Sequence, residues 1–220
     1  MKKRKEKTSL LKIYNLLFEK FGPRHWWPGD TRLEIIIGAI LTQNTAWTNV
    51  EKAVKNLKKA GLLNVKALSM IPKKRLAGLI RPTGYYNIKA GRVKNFLKFL
   101  NTRYNASLKR MFGTETGALR DELLNIKGIG PETADSILLY AGEKPVFVVD
   151  AYTKRIFSRH GYIDENATYE ETQEEFSKSL PRNVRLFNEF HALIVELGKN
   201  LCRAKKPLCS KCPIRRIKNV

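Results

Sequence analysis

Acidic residues are in short supply. The chain sets 20 Asp and Glu against 42 Lys and Arg, a formal charge of +22 at pH 7 and a pI near 10.1 over 220 residues. No fold needs such an excess, and its self-repulsion costs stability, so a polyanionic partner is implied, nucleic acid first among them. A lysine-rich thermophile surface would ordinarily carry matching glutamate, which is missing. Long apolar runs are missing too, and without one no helix crosses a bilayer. The basic start, Met1 to Lys7, leads into Leu10–Phe18, where Lys12, Tyr14 and Asn15 interrupt the apolar residues. That is an amphipathic helix rather than a signal-peptide core, so the expected location is the cytoplasm. Cysteine is confined to Cys202, Cys209 and Cys212, a clustering that in a cytoplasmic chain argues for metal rather than a disulfide. Internal repeats and low-complexity linkers are absent. Only Val146-Phe-Val-Val149 looks strand-like, and it is too short to pair into a sheet.

What remains is helix, so the expected class is all-α. Thr31 caps a helix through Leu33–Leu41 that is apolar nearly all round and therefore buried. Asn49 begins another, with Val50, Ala53, Val54 and Leu57 on one face and Gly61 as its stop. Pro72 opens a short helix to Leu79, Arg81-Pro-Thr-Gly84 is a turn, and Asn87 caps a basic helix facing inward through Val93, Phe96, Leu97 and Leu100. Further helices fall around Leu119–Leu124, Thr133–Tyr140 and Leu186–Leu201. Acids gather between Asp164 and Glu175, whereas the last twenty residues hold Arg203, Lys205, Lys206, Lys211, Arg215, Arg216 and Lys218 with no acid. One surface is thus expected to face phosphates and another water.

Two stretches carry chemistry. In Leu123-Leu-Asn-Ile126-Lys127-Gly128-Ile129-Gly130-Pro131-Glu-Thr133-Ala134, two helices flank a tight hairpin. Its glycines permit positive φ and close approach to another molecule, and Pro131 suits a first helical position. Backbone N–H groups at Gly128, Gly130 and the helix start then bind phosphate without reading sequence, while Ile126 and Ile129 anchor the hairpin in the core. In Val146-Phe-Val-Val-Asp150-Ala-Tyr-Thr-Lys-Arg155, a buried run ends in an acid that starts a helix. Asp150 is a helix cap on the plainest view. A carboxylate at such a place also stabilises the oxocarbenium character that develops when an N-glycosidic bond breaks, and positions or deprotonates the attacking water.

Leu41-Thr-Gln43-Asn-Thr45, the Leu123–Ala134 hairpin, Val148-Val-Asp150 and the final cysteines recur in this order in a known family. The chain resembles, over nearly its whole length, the helix-hairpin-helix DNA glycosylases of the endonuclease III superfamily. Within it, His25-Trp26-Trp27-Pro28, Leu41–Thr45 and Arg81-Pro-Thr-Gly-Tyr-Tyr-Asn87 look most like the 3-methyladenine glycosylase branch and its archaeal relatives. The resemblance implies two helical lobes: a multi-helix barrel over 25–140 containing the hairpin motif at 119–140, and a terminal lobe of 1–24 with 141–220. A damaged base is flipped from double-stranded DNA into the groove between them. A monomer is expected.

The resemblance also assigns roles. Asp150 matches the catalytic aspartate, and Gln43 the residue that fills the gap left by the flipped base. Lys127, Gly128, Gly130 and Thr133 match the DNA-binding hairpin. Trp26, Trp27 and Trp47 fall near the implied base pocket, where an alkylated purine would stack on indole. Lys199 matches a lysine near the aspartate in the alkylpurine branch. Bifunctional members carry a lysine nucleophile just after the hairpin, where this sequence has Glu132, which forms no imine. The expected activity is therefore monofunctional, excising alkylated purines with water and without AP lyase chemistry. Mismatched thymine or uracil, an oxidised base, or a bifunctional reaction are the enzymatic alternatives. The non-enzyme rival is a duplex-binding hairpin module, which would need neither Asp150 nor Gln43.

In the family the spacing C-x6-C-x2-C continues x5-C and holds a 4Fe–4S cluster. Here the fourth position is Lys218, and His25, His160 and His191 all lie well upstream of the cysteines. Three outcomes stand open: a cluster on three cysteines plus water or a small ligand, a decayed basic tail, or zinc on three thiolates. No other cofactor is expected.

Overall fold

The computed structural model describes residues 9–24 and 26–217; His25 and Lys218 lie outside the described residues. Every regular element among them is helical: α1 Leu10–Phe21, α2 Arg32–Leu41, α3 Trp47–Lys59, α4 Val65–Met70, α5 Lys73–Leu79, α6 Tyr86–Tyr104, α7 Leu108–Gly113, α8 Thr116–Leu124, α9 Pro131–Ser136, α10 Ala151–Arg159, α11 Tyr169–Ser179 and α12 Val184–Asn200. None is long and apolar enough to cross a membrane. The chain separates into two compact units, Trp27–Lys144 and the pair Met1–Trp26 with Pro145–Val220.

In the Trp27–Lys144 unit, α2 is the hub. The Thr31 hydroxyl accepts from the Glu34 N–H, and Leu33 and Ile36 through Leu41 are buried. Its neighbours are α3, α6, α9 and the π-turn Ile137–Ala141 that continues α9. The long α6 faces α2 with Val93, Phe96, Leu97 and Leu100, all buried. Two starts differ from expectation. Helix α3 begins two residues before Asn49, capped by Ala46 with no side-chain bond. Helix α6 begins before Asn87, its cap being Tyr85 at φ +45°, so tertiary packing sets that start rather than an Asx cap. The six-residue α4 and α7, capped by Asn64 and Ser107, are too short for a periodic signal.

In the other unit, α12 packs on α10 and α1. The core between α10, α11 and α12 is aromatic: Phe147, Phe157, Phe176, Phe187 and Phe190 are fully buried, and Phe147 stacks on Phe176 at 4.2 Å. Each such ring contributes about 1.5–3 kcal/mol on burial. Phe147, Val148 and Val149 are buried without a strand partner. Side chains of α11 take the strand's place, Gln173 Nε2 donating to Phe147 O at 2.7 Å and the Val149 N–H to the Tyr169 hydroxyl at 3.3 Å. Helix α11 itself went unforeseen in the acidic stretch. Its Thr168–Glu171 capping box, with Glu170 and Glu171 complementing the helix dipole, was the available signal.

Candidate active site and DNA-binding hairpin

The hairpin lies between α8 and α9. A bidentate pair, Arg120 to the fully buried Asp135 at 2.7 and 3.1 Å, clamps the two helices. Ile126 and Ile129 are buried as anchors, and Lys127 and Gly130 are exposed. Gly128 has φ +97°, and a Cβ there would come within 2.5 Å of Arg92 Cγ, so glycine is required twice over. Gly130 departs from the expected positive φ: it is extended at φ −98°. A Cβ on Gly130 would meet nothing, so that side of the turn is open to an outside group.

Gln43, just past the end of α2, is tied to this hairpin. Its Nε2 donates to Gly128 O at 3.2 Å and Thr133 Oγ1 at 2.8 Å, and its Oε1 accepts from Arg92 Nη1. From the same helix, Asn95 Nδ2 donates to Lys127 O at 2.9 Å. Sequence reasoning missed Arg92 and Asn95. They stand among many basic and polar residues of α6, and nothing local marks the side facing the hairpin. Glu132 is exposed in the first turn of α9.

The tryptophans separate. Trp27 packs edge-on against Trp47, centroids 4.9 Å apart, and lies 4.7 Å from the Tyr140 ring. Gly38 lets both indoles approach α2, since a Cβ would sit 3.3 Å from Trp47. Trp47 also lines a cavity of about 400 Å³ with Pro28, Glu34 and Val54. Trp26 belongs to the other compact unit.

In that unit Asp150 caps α10. Oδ1 accepts from the Thr153 N–H at 2.7 Å and the Thr153 hydroxyl at 2.8 Å, while Oδ2 lies 3.6 Å from His191 Nε2. Both Thr153 and His191 are buried. Burial alone would push the carboxyl up; His191 and the two Thr153 bonds outweigh it and hold Asp150 below its ordinary value. Asp150 is therefore an ionised carboxylate near neutral pH. His191 was not foreseen as its partner, because it lies 41 residues further on and only the packing of α12 on α10 brings the two together. Lys199 is exposed at the end of α12, next to Gly198, whose missing side chain admits the Tyr152 ring.

The cysteine loop follows α12. Cys202 and Cys212 are buried and Cys209 is exposed. The three line one cavity of about 420 Å³, joined by Arg159 and His160. Arg159 Nη1 lies 3.5 Å from Cys202 Sγ and holds Arg203 O at 2.8 Å. Arg155 donates to Cys202 O and Gly198 O at 3.0 and 2.9 Å, fixing the start of the loop. Burial raises the Cys212 thiol pKa, and the neighbouring Cys202 and Cys209 add to that shift.

Residues 37–182 match the HhH-GPD superfamily of base excision DNA repair proteins. A provisionally named DNA repair glycosylase of Methanocaldococcus jannaschii is 51% identical over 94% of both chains. The H. pylori 3-methyladenine DNA glycosylase, solved with 1,N6-ethenoadenine, superimposes with a TM-score of 0.73 at 34% identity, covering 86% of this chain and 94% of that one. A trapped endonuclease III–DNA covalent intermediate shares the fold at a TM-score of 0.82 and 22% identity, over 94% and 93% of the two chains. The chain belongs to the HhH-GPD superfamily of base excision DNA repair proteins. Within it, the chain is a DNA-binding DNA glycosylase.

Proposed function

We propose that this glycosylase hydrolyses the N-glycosidic bond of a damaged base in double-stranded DNA, prefers alkylated purines, and leaves an intact strand with an abasic site. The ionised Asp150 carries the proposal. A carboxylate whose pKa is held down is a weak proton acceptor but a strong fixed negative charge, which suits it to stabilising an oxocarbenium-like sugar. Oδ1 is occupied by Thr153, so Oδ2, which lies 3.6 Å from His191 Nε2, is the oxygen proposed to face the sugar and water. With Glu132 where bifunctional relatives place lysine, water is the nucleophile.

The hairpin, through Lys127, Gly128, Gly130 and Thr133, takes up backbone phosphate. Gln43 fills the gap in the duplex. To do so it exchanges its bonds to Gly128, Thr133 and Arg92 for bonds to DNA, each worth about 0.5–1.5 kcal/mol net. Stacking for the extruded base is proposed for the tryptophans, of which Trp27 and Trp47 pack together in one unit while Trp26 and Lys199 belong to the other. The similarity to the H. pylori 3-methyladenine glycosylase supports the alkylpurine preference.

The cysteine loop is assigned an iron–sulfur cluster. Among the described residues no group of three His, Cys, Asp or Glu is arranged to hold a metal ion, so the assignment rests on the cysteine spacing alone. When bound, the cluster supplies a rigid cross-link for the basic loop.

A panel of lesion-containing duplexes, assayed with and without alkali, tests the activity. Free 3-methyladenine should be released, with strand breaks only after alkali. Borohydride trapping of an enzyme–DNA adduct would sink the hydrolytic mechanism.

A further inference from the structure

Next to the hairpin, α6 and the turn after α8 enclose a cavity of about 580 Å³, a size that suits a small ligand. Lys98, Phe99, Asn125, Ile126 and Lys127 line it, and the bond from Asn95 to Lys127 O ties its α6 wall to the hairpin. Phe99 is half-buried, its ring braced edge-on by Tyr104 at 5.6 Å. Arg103 and Glu122, also in the lining, satisfy each other. Nε and Nη2 both donate to Oε1, at 3.2 and 3.1 Å, and Oε2 accepts from the Tyr104 hydroxyl. Lys98 and Lys127 are exposed and have no acid partner among the described residues. The exposed Asn125 likewise makes no side-chain hydrogen bond there. Two cations on one cavity without a counter-charge favour an anionic ligand.

A second cavity of about 380 Å³ adjoins the first, sharing Asn95, Lys98 and Thr102 and reaching Ser69 and Lys94. Lys94 Nζ is spent on Leu68 O and Ser69 O, both at 2.8 Å, so Lys98 is a free cation common to the two cavities. A lysine, a braced aromatic ring, an apolar wall and an open amide match the parts of a nucleotide. Phosphate goes to the ammonium, the base to the ring, and the base edge to the amide. Two such spaces meeting at one lysine fit two successive nucleotides and the phosphodiester that joins them.

We propose that this groove along α6 binds a short unpaired DNA segment, with its phosphodiester on Lys98 and one base against Phe99 and Ile126. Lys127 belongs to both groove and hairpin. On the reading that the hairpin holds duplex backbone, the segment is an unpaired end of the same DNA.

Two measurements on the full-length protein test this. Amide NMR follows titration with a phosphorylated dinucleotide of deoxyadenosine, and fluorescence anisotropy compares a blunt duplex with the same duplex carrying a short single-stranded overhang. Resonances of residues 95–102 and 125–127 should shift, and the overhang should tighten binding at least about fivefold. Lys98→Glu should weaken the dinucleotide at least about tenfold and abolish the overhang's advantage. Phe99→Leu should weaken it about fivefold, with circular dichroism reporting that the helices remain. Equal binding of blunt and overhang duplexes, or a Lys98→Glu protein that keeps the preference, would overturn the groove and leave the hairpin standing. A polyglutamate peptide that shifts these resonances where the dinucleotide does not would also overturn it. A protein that binds the overhang but no blunt duplex would remove the hairpin reading and support the groove.

Discussion

Two polar clusters, one in each compact unit, are built in opposite ways. The hairpin cluster of Gln43, Arg92, Gly128 and Thr133 joins a neutral amide to a carbonyl, a hydroxyl and one guanidinium, beside the exposed Lys127 and Gly130. On the proposed function, DNA takes over the bonds that Gln43 makes there. The Asp150 cluster encloses a charge: the side chain is 11% exposed, with Thr153 and His191 buried around it. Buried charge is costly unless its partners are preset, so this cluster is suited to staying still during the reaction. On the proposed reading, the contrast separates binding from chemistry within one chain.

The sharpest break in that contrast is Asp150→Asn. It keeps the shape and the Thr153 bonds but removes the charge. Single-turnover base release should fall about a thousandfold or more, with duplex affinity little changed. An equal loss of affinity would show that the two clusters are not separable. On the hairpin side, Asp135→Ala strands Arg120 and should cost about 3–5 kcal/mol in urea unfolding. Gly128→Ala should cost about 1–3 kcal/mol, from the positive φ and the clash with Arg92, and should weaken DNA binding without altering the pH profile of excision.

The pH dependence belongs to the other cluster. Asp150 has its pKa lowered by folding, so its contribution to stability is present above the ordinary carboxylate value and is lost as pH falls from there through the folded value. The gap in denaturation midpoint between wild type and Asp150→Asn should therefore hold steady near neutrality and narrow in acid. His191→Asn removes the largest influence opposing burial, so the carboxyl rises and the acid limb of the excision profile should move to higher pH. An unmoved limb would mean that His191 only packs. The smallest effect is expected at Lys127→Ala, whose exposed charge should reduce the salt dependence of DNA affinity by about one unit of slope.

Most helices were legible because their apolar residues recur at helical spacing and their caps are local. Thr31 before Leu33 and Asp150 before α10 are examples. Misplaced starts fell where no side chain caps the helix, at Ala46 and Tyr85. Site residues followed the same division. Asp150, Gln43 and the hairpin sit in contiguous patterns, whereas Arg92, His191 and His160 act on groups 49, 41 and 57 residues away.

By itself the sequence determined the helical class, the basic character and the glycines of the hairpin, because each depends on residue type and short spacing; the proposed choice of water over an amine rests on Glu132 in the same way. Only the tertiary structure decided that Gln43 rests against the hairpin, that His191 and Thr153 keep Asp150 ionised, and that His160 lines one cavity with the three cysteines. Those contacts arise from helix packing, which brings together side chains that no local rule relates.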